Sequence, residues 1–214
     1  MHHLHYLRAA FFAATKDTSR IARLICQFAV FAFIYNILIP SNYLLLPAQA
    51  SAYTQLCHLF IWCFICITET VFRFTQAANS KALLYKITSG NNYFLIFLSD
   101  AIVDILIFSA TSLITTIAYC IIFQQPEYLP VAIYSMPLFA VVVTASTCYA
   151  SLSVRTSGVL VFTTIMLCIP LFPVAVFLHN SIFNSESFAI GTLYSILAVP
   201  FYAYKTSIIV RFSN

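Results

Sequence analysis

Six long apolar runs divide this 214-residue chain, and its ten lysines and arginines avoid every second segment between them. The runs lie at about 21–39, 53–72, 93–123, 131–154, 158–178 and 188–210. Arg8, Lys16, Arg20 and Arg23 stand at or before the start of the first run. Arg73, Lys81 and Lys86 follow the second, Arg155 follows the fourth, and Lys205 and Arg211 close the sixth. The segments after the first, third and fifth runs hold no Lys or Arg. Basic segments resist translocation, so this asymmetry fixes an orientation. The pattern predicts an all-α integral membrane protein with six transmembrane helices and both ends on the inner side. Soluble partners would then be met on that basic inner face.

Composition agrees. Hydrophobic residues make up 62% of the chain and charged residues 7%, against roughly 25% charged in soluble domains. Mean hydropathy is +0.94. Six spans of about 20 residues use most of the length, so a single membrane domain over 1–214 is expected. The net charge of +4 reads as the topology signal plus attraction to anionic headgroups, not as a nucleic-acid surface. Residues from about 1 to 20 read as an amphipathic interfacial helix. In it Leu7, Phe11 and Phe12 face lipid while Arg8 and Lys16 reach headgroups. Ala48-Gln49-Ala50 resembles a signal-peptidase site, but the preceding apolar run is long, and an uncleaved first span is the expectation. Cleavage would leave five spans and an outer N-terminus.

Little in the chain offers chemistry of its own. Its three glycines, Gly90, Gly158 and Gly191, provide no phosphate-cradling loop, so ATP hydrolysis would belong to a partner and no enzyme activity is expected. All seven cysteines lie in apolar runs; Cys63 and Cys66 form a C-x-x-C that reads as buried apolar packing. His179, at the outer end of the fifth run, is the histidine placed to meet an outer ligand such as haem, although an interfacial polar terminus explains it as well. No metal or directly bound cofactor is expected. Three acids matter more: Glu69 near the inner end of the second span, and Asp100 and Asp104, four apart on one helix face. Acids at membrane depth mark pathways or paired charges. They read either as a proton- or substrate-coupled site or as an inner-face charge cluster paired with Arg73, Lys81 or Lys86. Pro170 and Pro173 predict a kinked fifth helix, and Pro200 lies inside the sixth.

Two segments carry a family resemblance. Ile67-Thr68-Glu69-Thr70-Val71-Phe72-Arg73, followed by Asn79-Ser80-Lys81-Ala82-Leu83-Leu84, resembles the segment after the second helix of the CcmB family. This is the haem exporter protein B of cytochrome c maturation. Glu69, Phe72, Arg73 and Ser80 match that family's pattern. Its further acidic residues, Gly and Glu are replaced here by Phe74, Thr75, Asn79 and Lys81 or Ala82. Gly158-Val159-Leu160 with Ile169-Pro170-Leu171-Phe172-Pro173-Val174-Ala175-Val176-Phe177 is similar to the family's fifth helix, with a spacing difference of one or two residues. Asp100 and Asp104 stand where family members carry a Lys and a His, which reverses the charge there.

The resemblance implies an ABC-2-exporter-like fold and a permease-like subunit of an ABC transporter complex. A CcmA-like ATPase would dock on the inner face, CcmC-like and CcmD-like membrane subunits would join it, and a homodimer within the complex is compatible. ATP hydrolysis by the partner would be coupled to haem delivery and to release of the CcmE-like haem chaperone. The inner loop bearing Arg73, Lys81 and Lys86 would be the coupling segment. The implied site is the bacterial inner membrane, or the mitochondrial inner membrane as the alternative. Two other functions stay open: an ABC-2-type permease for a lipid or glycan, and an intramembrane enzyme using Glu69, Asp100 and Asp104.

Overall fold

The computed structural model describes residues 2–16, 18–38, 47–79, 88, 92–124, 126, 128–152 and 185–213. Among them the chain forms seven helices and no strand: α1 (His2–Lys16), α2 (Thr18–Leu38), α3 (Pro47–Asn79), α4 (Tyr93–Phe123), α5 (Tyr128–Tyr134), α6 (Met136–Leu152) and α7 (Ser185–Ser213).

The helix limits follow local chemistry. Asn92 opens α4 from an extended backbone, its side chain accepting from the Leu95 N–H at 3.3 Å. This satisfies one of the donors that a helix start leaves unpaired. Gln124 ends α4 in the left-handed conformation, at φ 55°. Helices commonly close this way, and a proline soon after prevents their resumption; here that residue is Pro126. The stretch read as one span at 131–154 is two helices, α5 and α6, interrupted at Ser135. Pro137 is the physical reason, because it has no N–H to return to the carbonyl four residues earlier. Beside the freed Ile133 carbonyl, the Ser135 hydroxyl donates to the Ala132 carbonyl at 3.0 Å. The helix predicted to stop near Phe72 continues to Asn79, so Arg73 is a helical residue.

Contacts between helices give their directions. Arg20 and Arg23 at the start of α2 meet Glu69 and Asp104, late in α3 and early in α4. Adjacent helices therefore run in opposite directions from α2 through α4. Phe94 at the start of α4 meets Tyr204 near the end of α7, with centroids 6.4 Å apart. Tyr134 and Phe188 meet at 5.9 Å at the other end, so α6 and α7 run parallel. Gly191 permits this approach: a Cβ there would lie 3.3 Å from the Pro137 Cβ.

The core between α2, α3 and α6 centres on Trp62, packed edge-on against Phe28 at 6.0 Å and tilted against Phe139 at 5.7 Å. Leu24, Ile65, Phe108 and Val143 are buried in the same cluster. Around this apolar core, small hydroxyl side chains are also buried and many large apolar side chains face outward. Ser112, Thr116, Thr144, Ser146 and Thr206 are buried, while Ile114, Ile121, Ile190, Leu193 and Leu197 are exposed. Tyr93–Phe123 and Phe188–Arg211 are long and apolar enough to cross a membrane, and only 28% of the most apolar window of each is buried. At about 1.5 Å per residue, the 31 residues of α4 exceed the roughly 30 Å hydrocarbon layer.

Candidate functional site

The polar end of the bundle is built from three helices whose charges fall at helical spacing. Arg20 and Arg23 are three apart on α2, Glu69 and Arg73 four apart on α3, and Asp100 and Asp104 four apart on α4. Residues so spaced share a face, and the three faces converge. Arg20 Nη1 donates to Asp104 Oδ1 at 3.1 Å. Arg73 Nη1 donates to the same oxygen. Arg23 Nη2 donates to Glu69 Oε1 at 3.3 Å. Asp104 is thus a hub that joins α2, α3 and α4 through one carboxylate.

Burial sets the energetic weight of these pairs. Arg20 is 1% exposed and Glu69 3%, whereas the Arg23 side chain is 41% exposed. Taking an ion from water costs several kcal/mol, which only close pairing offsets. The six side chains carry three positive and three negative formal charges, so the cluster is neutral. Aromatic faces add to the support. Arg20 lies over Phe108 at 5.5 Å and Arg23 over Phe72 at 6.0 Å. The planar, weakly hydrated guanidinium suits both contacts better than an ammonium would.

A cavity of about 80 Å³ lies beside the hub. Ala10, Ala13 and Ala14 of α1 wall one side, and Arg20, Arg73, Asp100 and Asp104 the other. Of the residues singled out from the sequence, Glu69, Arg73, Asp100 and Asp104 are therefore brought into one neighbourhood. Lys81, Lys86, Pro170 and Pro173 lie outside the described residues, as do Arg155 and His179. Arg20 and Arg23, which the sequence places only at the basic start of the first run, also join the site. Their signal was available: an arginine pair flanked by Ile21 and Leu24, in a chain whose three deep acids needed neutralising.

What this geometry does chemically is hold charge. Both Glu69 and Asp104 are engaged by guanidinium groups. Among the described residues no group of three or more His, Cys, Asp and Glu side chains is placed to hold a metal ion. Cys66 is buried as a free thiol against the Trp62 core. Comparison of the chain with known protein families, with curated proteins and with solved structures returned no match in any of the three.

Proposed function

We propose that this chain is a six-span inner-membrane protein and the permease-like subunit of an ABC transporter complex for cytochrome c maturation. In this reading it couples ATP hydrolysis by a CcmA-like partner to haem delivery and to release of the CcmE-like chaperone. CcmC-like and CcmD-like subunits complete the assembly. The membrane part of the reading is carried by one observation. Arg20, Arg23, Arg73 and Lys205 gather at the end of the bundle where α2 and α4 begin and α3 and α7 finish. Exposed apolar faces on α4 and α7 continue away from that end. This is the arrangement that charge-biased insertion produces, with the basic end retained inside. A six-span count also needs a crossing between α6 and α7. It is supported by the parallel course of these two helices, since the end of one and the start of the other lie at opposite ends.

The transport part rests on the sequence resemblance around Glu69, Phe72 and Arg73. Glu69 and Arg73 of that motif also form ion pairs between helices. The bases offered to a partner ATPase are Arg73, whose side chain stays 30% exposed, with Lys81 and Lys86 in the segment that follows. The test is purification of the tagged chain from its native membranes, followed by identification of what accompanies it. A nucleotide-hydrolysing subunit together with cytochrome c maturation components is the expected result. Recovery with polysaccharide- or lipid-assembly proteins, or without any ATPase, would overturn the reading.

A further inference from the structure

We infer that α1 is a latch over the charge network, able to lift from α4 while the network and the core remain folded. Its seat is slight. Leu7, Ala10 and Ala14 rest on Val103 and Ile107, and alanine methyls bury little apolar area compared with larger side chains. Among the described residues, none of the three ion pairs includes a side chain of α1. The helices beneath are joined differently: α2, α3 and α4 share the Asp104 hub and the Leu24–Phe108 core. The outward side of α1 presents Leu4, Phe11 and Phe12, with the Arg8 guanidinium 5.6 Å from the Phe12 ring. A lifted α1 therefore keeps an amphipathic surface that a headgroup layer can hold.

What the latch covers is a polar space. The cavity beside Arg20 and Asp104 is closed on one side by the α1 alanines, and its volume of about 80 Å³ is enough for ordered water. The cavity is already partly open; lifting α1 widens it, so that charged groups of a partner reach the hub. Local opening of an element seated on small side chains, below the global unfolding free energy, is ordinary protein behaviour. The inference does not depend on the transport reading.

The test uses the full chain, purified in detergent, with a hydrophilic maleimide. A Val103→Cys thiol reports the seat of α1, and native Cys66, 1% exposed in the Trp62 core, reports unfolding. Ala10→Leu/Ala14→Leu removes the close fit, because larger side chains hold the two backbones apart. Ala9→Leu makes the same chemical change on the exposed side of α1. The expected result is labelling of the Val103→Cys thiol about tenfold faster in the double-leucine protein. Cys66 should stay protected, and Ala9→Leu should have no effect. Unchanged labelling in the double-leucine protein would overturn the latch. So would labelling of Cys66 in step with the reporter, because α1 would then be inseparable from the core.

Discussion

The two polar regions of this bundle satisfy their groups in opposite ways. At the charged end, Arg20, Arg23, Glu69, Arg73 and Asp104 bond across helices, between residues 31 to 84 positions apart in sequence. Along α4, α6 and α7, buried hydroxyls bond within their own helix. Thr116 donates to the Ser112 carbonyl at 2.8 Å, Thr144 to Ala140 at 2.8 Å and Ser146 to Val142 at 2.6 Å. Thr206 donates to Tyr202 at 2.8 Å and alone of these also meets a side chain of another helix, the Cys148 thiol of α6. A hydroxyl that returns to the carbonyl four residues back needs no neighbour. It makes the helix surface small and dry without naming a partner, which suits close packing in an apolar solvent. A buried arginine has no such local remedy. It requires a carboxylate from another helix, and so specifies which helices meet and at what depth.

The contrast breaks most sharply at Asp104. Asp104→Ala removes the acceptor of both Arg20 and Arg73, and Arg20 is buried at 1% exposure. Loss of one partner from a buried pair costs about 3–5 kcal/mol, and this carboxylate serves two. The expected outcome is a steep fall in thermal stability in detergent, or failure to accumulate in the membrane. An Arg20→Met/Asp104→Leu protein should recover much of the loss, since an apolar replacement removes charge and counter-charge together. If Asp104→Ala unfolds at the wild-type temperature, the hub contributes nothing. Retained biological activity in a stable Asp100→Asn/Asp104→Asn protein would separately eliminate the intramembrane-enzyme alternative.

The second pair predicts an asymmetry. Arg23 is 41% exposed and Glu69 only 3%. Arg23→Ala leaves a buried carboxylate without this guanidinium and should cost about 2–3 kcal/mol. Glu69→Gln leaves a guanidinium that water already reaches and should cost about 1 kcal/mol or less. Comparing the two melting curves checks the order. Equal losses would mean that Glu69 is hydrated in solution, and the burial argument for this pair would fail.

These differences also explain what was legible beforehand. The apolar run ends at Phe123, as α4 does, because the Gln124–Pro126 turn is a local signal. Its start, which the charges of Asp100 and Asp104 leave open between Tyr93 and Ala101, falls at Tyr93, where Asn92 caps the helix. The break at Ser135 was missed: Pro137 sits in an otherwise continuous apolar run, and composition alone does not separate a kinked span from two helices. For the site, Asp100 and Asp104 announced themselves as costly groups that share a face. Their partner Arg73 was available nearby in sequence, whereas Arg20 was not. A basic residue near a helix start is equally consistent with a headgroup and with a buried acid. Only the packing of α2 on α4, set by Leu24, Phe28 and Phe108, decides between them.

The smallest effects lie on the hydroxyl side, where shape should matter more than polarity. Gly191→Leu forces a side chain into a space where even a Cβ meets Pro137 at 3.3 Å. Overpacking of that kind costs about 1–3 kcal/mol. Thr144→Val retains the volume and removes a hydroxyl whose bond is internal to α6. Its carbonyl acceptor keeps the backbone N–H bond of the helix, so no group is stranded and the cost should stay below about 1 kcal/mol. Thermal unfolding of the two variants side by side, in the same detergent, should rank Gly191→Leu well below Thr144→Val. A Thr144→Val protein that falls as far as Arg23→Ala would show that hydroxyls here also couple helices, and the division between the two regions would no longer hold.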